Sequence, residues 1–230
     1  MKPDRMNAFT DAVIAILITI LVLELRPPAG HHFDDILDEK GKFLAYVLTF
    51  VFVAVYWNNH HHLMQVVHRI DGRTLWANIH LLFWLSLTPV ATAWLGESGV
   101  QPGPVAAYAI VQLGCAVAYT LLTLALLALH ERDSRLRQAI GSDRKGRLSL
   151  VAYIVAVVCS FVVPWFSIAL LIAVLIVWVI PDRRVERVIV HERQTDAAGP
   201  ELAVYLCVRA VGCRPPVSHR TVVSMVGVRV

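Results

Sequence analysis

A chain of 230 residues that is 57% hydrophobic and only 17% charged falls well below the roughly 25% charge of soluble domains, which excludes a water-soluble globular protein. The formal net charge of +4 invites a nucleic-acid reading, but the basic residues sit in short loops between apolar runs, which excludes that partner. The four cysteines form no C-x-x-C pair and no secreted-type framework, so the thiols are expected to be free.

A helix crossing the hydrocarbon needs about 20 mostly apolar residues. The first apolar run, 8–25, is longer than the core of a cleavable signal and lacks a small-residue cleavage site after it. It carries Asp11 about one turn from its start. An acid inside a spanning helix costs roughly 2.5–3.5 kcal/mol on insertion scales and normally faces protein or water with a partner, for which Arg5 is the nearest basic candidate. At 100° per residue, Ala12, Ile16, Thr19, Ile20 and Leu23 share one stripe, with Asp11 about 140° away from Ile16. Apolar stripes occur on every spanning helix, so spacing alone gives this one no function. Glu24 and Arg26 close the helix. In the following loop, Asp34, Asp35, Asp38 and Glu39 outweigh Arg26, Lys40 and Lys42; its acids, near His31 and His32, are placed to concentrate cations.

The second and third runs are 43–63 and 75–95, separated by a loop with Arg69 and Arg73. His60, His61 and His62 resemble a metal tract, but consecutive residues on a helix point about 100° apart and do not converge on one ion. The fourth run is 105–129, and the loop 130–147 after it carries six basic residues. The stretch 148–180 has no Asp, Glu, Lys or Arg, and basic residues flank it on both sides. Cytoplasmic loops hold the Lys/Arg excess, so both flanks are expected inside and the stretch must cross twice, turning at Pro164. The expectation is an all-α integral membrane protein with six transmembrane helices, N-in and C-in. Trp76, Trp94, Trp165 and Trp178 fall near helix ends, as interfacial aromatics do. Residues 1–187 form the membrane domain; the tail 188–230 has no sustained period and is compatible with disorder or with docking.

The segment RMNAFTDAVIAI, residues 5–16, resembles the R-x-x-x-F-S-D signature of the endolysosomal potassium channel family of transmembrane protein 175 and its prokaryotic relatives. Its continuation ILITILVLEL, the run Tyr56-Trp57-Asn58-Asn59-His60, and Asn78 followed by LLFWLSLTPVATAWLGE are similar to the same family. Thr10 stands where Ser is usual and keeps the hydroxyl. The resemblance implies a homotetramer in a prokaryotic plasma membrane, with the first helices lining a central pore for potassium and no bound cofactor. It places bulky constriction residues at Ile16, Ile20 and Leu23 and a selectivity threonine at Thr19, the same stripe that helical phase gives. It implies supporting roles for Arg5, Phe9, Thr10 and Asp11, with Trp57, Asn58, His60 and Asn78 as candidate partners on helices two and three. No T-V-G-Y-G filter loop, zinc-protease, hydrolase or phosphate-loop motif occurs, so no enzyme is expected. Two other classes stay open on the residues alone: a proton-linked secondary transporter using Asp11, with Pro89 as a helix break, and a non-transporting scaffold.

Overall fold

The structure, a computed structural model, describes residues 3–25, 39–130 and 144–179. These all fall in the first of the two units into which the chain divides, Met1–Val185. The expected tail 188–230 and the acids and histidines of the loop after the first helix lie outside the described residues, apart from Glu39.

Every regular element among the described residues is helical: α1 (Asp4–Leu23), α2 (Lys40–Gln65), α3 (Gly72–Ser86), α4 (Thr88–Ser98), α5 (Pro102–Leu129), α6 (Arg144–Ser160) and α7 (Pro164–Val179). Among the described residues, four stretches are long and apolar enough to cross a membrane: Asp4–Leu23, Lys40–Gln65, Gly72–Ser98 and Pro102–Leu129. The third contains both α3 and α4, so the run expected as one helix over 75–95 is jointed.

The joint follows from Pro89, which has no N–H to offer the carbonyl four residues back. That carbonyl, on Leu85, instead accepts the Thr88 hydroxyl at 2.7 Å, while Leu87 N–H tightens onto Trp84 O at 3.2 Å. The helix therefore re-aims at Leu87 without leaving a buried carbonyl bare. At its other end, Asp71 caps α3: its carboxylate accepts the Thr74 backbone N–H at 2.8 Å and the Thr74 hydroxyl at 2.7 Å. Those two donations, the backbone one first, hold the Asp71 carboxyl below its ordinary range.

The charge-free stretch after residue 147 forms α6 and α7, broken over 161–163, with Pro164 opening α7. The Ser167 hydroxyl donates to Ala156 O at 2.7 Å and the Trp178 indole to Ser149 Oγ at 2.7 Å, pinning the two helices antiparallel.

Helix α5 is the axis of the packing and touches α3, α4, α6 and α7. Val105, Tyr108, Cys115, Ala118, Leu122 and Leu126 recur at helical spacing and are buried. The approach of α3 is set by Gly114: a Cβ there would lie 2.2 Å from the Trp84 ring, so the indole lies flat on bare backbone. In the middle of the bundle, Thr49 of α2, Thr92 of α4 and Tyr108 of α5 meet through their hydroxyls, at 2.7 Å between the threonines and 3.0 Å to the tyrosine. In contrast to α5, α1 packs on α2, α3 and α4 along one side only.

Candidate functional site

The two faces of α1 divide by helical period. Met6, Thr10, Ile14, Leu17 and Leu21, spaced four, four, three and four residues apart, are buried against the neighbouring helices. The stripe singled out by phase, Ala12, Ile16, Thr19, Ile20 and Leu23, lies on the exposed side. Ile16 is 58% and Leu23 78% exposed, large fractions for branched apolar side chains in the middle and at the end of an apolar helix.

Thr19 has a specific orientation on that face. Its hydroxyl donates to the Ile16 carbonyl at 2.7 Å. The hydrogen is thereby committed to the helix, and the oxygen lone pairs are left facing outward, the right polarity for meeting a cation.

The buried face carries a polar relay. The Asn78 amide of α3 donates from Nδ2 to Thr10 Oγ1 at 2.9 Å, and its Oδ1 lies 2.9 Å from His60 Nε2 on α2. Because Oδ1 can only accept, the His60 ring must carry its proton on Nε2. All three residues are essentially fully buried, so α1, α2 and α3 are joined by a chain in which each bond orients the next.

Asp11 sits beside this relay but on a different azimuth. Its carboxylate accepts the Trp57 indole N–H at 2.9 Å, and the Trp57 ring stacks on His61 at 5.5 Å, which in turn lies 2.9 Å from the Gln65 amide. This second chain of contacts is exposed. The candidate pairing of Asp11 with Arg5 is not formed: both side chains are exposed, the six-residue separation places them about 120° apart on the helix, and the carboxylate takes the indole instead. Arg5 and Phe9 point to the exposed side near the stripe. Asn58 is half-buried and, among the described residues, is not part of either chain. The three consecutive histidines diverge: His60 to Asn78, His61 to Trp57, and His62 with a buried Nδ1 that has no hydrogen-bond partner. Among the described residues no group of three His, Cys, Asp or Glu side chains is placed to hold a metal ion.

Sequence reasoning missed the Thr49–Thr92–Tyr108 cluster. The one available signal was mid-span hydroxyls, with Thr88 and Thr92 bracketing Pro89. It also missed an open pocket among α2, α5, α6 and α7, walled by Tyr56, Tyr119, Tyr153 and Trp178, to which α1 contributes nothing. At the opposite end of α1, Glu24 borders a cleft with Lys42, Tyr46 and Glu97.

This arrangement has relatives. The sequence model of the family described as "Endosomal/lysosomal potassium channel TMEM175" matches residues 5–89. A potassium channel of Chryseobacterium sp. (strain P1-3) is 43% identical over 187 residues, covering 81% of this chain and 97% of that protein. The crystal structure of a lysosomal potassium-selective channel TMEM175 homolog from Chamaesiphon minutus superposes with a TM-score of 0.65 at 29% identity, covering 76% of this chain and 95% of that one. The Mus musculus protein, named an endosomal/lysosomal proton channel, is 30% identical over 92 residues, 37% of this chain and 18% of its own length. With the signature on α1, the helical fold and a relative matched over nearly its whole length, this chain is a multi-pass membrane protein that belongs to the TMEM175 channel family, a family of channels and not of enzymes.

Proposed function

We propose that this chain is the subunit of a potassium-selective channel in which four copies surround an axis, each presenting the exposed stripe of α1 to a central pore. The observation that carries this reading is the exposed face of α1, which among the described residues has no covering neighbour: Ile16, Ile20 and Leu23 in line, with the Thr19 oxygen among them. Four isoleucines around an axis narrow the path and repel water, a barrier that works by dewetting. Four threonine oxygens one turn on offer lone pairs to a partly dehydrated cation. Potassium holds its hydration shell less tightly than sodium, so a constriction of this kind passes it at smaller loss.

The topology in this reading has six membrane helices, α3 and α4 counting as one, with both ends of the chain in the cytoplasm. Arg5, Lys145 and Arg147 then face the cytoplasm of a prokaryotic cell. Potassium is the permeant ion and no cofactor takes part. Thr10, Asn78 and His60 fix the rotation of α1 so that the stripe faces the axis. Asp11 and Trp57, exposed within one protomer, lie where an adjacent subunit covers them. Arg5 and Phe9 lie on the stripe side at the inner end of the helix.

The test is ion flux from liposomes loaded with potassium, run against sodium and caesium, with a proton-gradient arm because vertebrate relatives carry the proton-channel name. The expected result is a passive, potassium-preferring leak. Ile16→Asn removes one dewetting ring from the channel, one side chain from each subunit, and raises that leak about tenfold, equivalent to roughly 1.4 kcal/mol off the barrier. Saturable uptake coupled to protons would instead mark a transporter working through Asp11. A potassium leak indifferent to Ile16→Asn would remove α1 from the pore.

A further inference from the structure

The turn between α6 and α7 differs from every other described turn in composition. Residues 161–166 read Phe-Val-Val-Pro-Trp-Phe, with the Trp165 indole N–H as the one polar side-chain group. They are also bare: Val162 is 81% and Trp165 70% exposed. The turn between α4 and α5 is Gly99-Val100-Gln101, and the ends of α1 and α2 on that side of the bundle carry Glu24, Lys40 and Lys42.

Part of the tip's backbone is closed upon itself. Val162 and Val163 both donate to Cys159 O, at 3.1 and 2.7 Å, and Phe166 and Ser167 both donate to Val163 O, at 3.0 and 3.4 Å. Pro164 has no N–H to satisfy. These four donations reduce what the turn asks of water, which favours placing backbone inside a bilayer, while the Trp165 N–H and the Phe161 and Val162 carbonyls take no backbone partner among the described residues.

Two measures of depth agree. From Leu148, the first residue after Arg147, to Val163 the chain rises about 24 Å at helical pitch, whereas the hydrocarbon core is about 30 Å thick. Independently, the Trp178 ring packs on the Tyr119 ring with centroids 6.5 Å apart. Helices α5 and α7 run in the same direction, so the same number of residues back from Trp178 and Tyr119 reaches Pro164 and Val105. Pro164, at the base of the turn, thus stands about one turn inside Pro102, where α5 begins.

We propose that the α6–α7 hairpin does not emerge from the membrane: its tip, residues 161–166, ends within the leaflet opposite Lys145 and Arg147, and its partner is the acyl chains of that leaflet. The proposal takes the basic base of the hairpin, cytoplasmic in the topology above, as its zero of depth.

The full chain, with Cys159, Cys207 and Cys213 replaced and the buried Cys115 kept, receives one nitroxide at Val162→Cys, at Trp165→Cys, or at the reference Gln101→Cys. It is then reconstituted in phosphatidylcholine vesicles with reagents on both sides, so the readout of depth is independent of which end is cytoplasmic. Two tip positions are used, each accepted only where the protein elutes as the wild type does. At both, collisions with oxygen are expected to exceed those with an aqueous nickel chelate, and nickel collisions to fall about tenfold below those at residue 101. Nickel access equal to that at residue 101 would place the tip in water and overturn the proposal. Protection from both reagents would mean that protein, not lipid, covers it, and would overturn it as well.

Discussion

Two buried polar clusters hold this molecule together, and they are wired differently. The relay Thr10–Asn78–His60 is linear: the Asn78 amide reaches one partner with each end. The cluster Thr49–Thr92–Tyr108 is branched and backed by main chain, because Thr49 also reaches Ala45 O at 3.0 Å and Thr92 donates to Thr88 O at 2.6 Å. A linear relay fails at any link, whereas a branched one sheds a bond and keeps its hydroxyls satisfied. The linear relay ties down α1, the helix with the exposed stripe; the branched cluster ties α2, α4 and α5, which form the frame.

The largest effect should come from Asn78→Ala. It strands the His60 ring and leaves the Thr10 hydroxyl without its donor, both buried, at about 1–3 kcal/mol for each unsatisfied group. Unfolding of the purified protein in mixed micelles should show a loss of roughly 2–5 kcal/mol. Thr49→Val should cost less, about 1 kcal/mol, since the Thr92 and Tyr108 hydroxyls both lose Thr49 but Thr92 keeps its carbonyl. If the same titration gave Thr49→Val a loss equal to that of Asn78→Ala, the contrast between linear and branched wiring would be wrong. The smallest change belongs to Trp57→Phe, which removes the indole donor from an exposed carboxylate. Within one chain that bond contributes about 0.5–1.5 kcal/mol or less. A marked loss of assembly on gel filtration with little change in unfolding would locate the role of Asp11 and Trp57 between subunits.

The helical runs were legible because hydropathy and charge are local properties that a window of residues carries. The exposed stripe of α1 was legible for the same reason, since a 3.6-residue period can be counted without knowing what packs against it. Thr10, His60 and Asn78 were flagged through the resemblance, but their order in the relay was not, because bonds across 18 and 68 residues follow from helix placement. The pairing of Arg5 with Asp11 rested on proximity along the chain and gave way to azimuth. Thr49 and Tyr108 stand 59 residues apart on helices whose contact no periodicity announces. The joint at Leu87 was half visible: Pro89 marks where a donor is missing, but only the folded chain shows the Thr88 hydroxyl filling its place.

The flat seating of Trp84 on Gly114 has a consequence for motion. Sliding α3 along α5 by a turn would bring a same-face neighbour of Gly114, Ile110 or Val111 on one side and Val117 or Ala118 on the other, under the indole, and a Cβ in that position would collide with the ring. These two helices are therefore a rigid body with one permitted register. Helix α1 has no such tooth: it rests on α2, α3 and α4 along one side and is keyed to them by side-chain bonds that rotate. In the channel proposed above, an opening movement would then be a turn or tilt of α1 against α3 and α5, which keep their register.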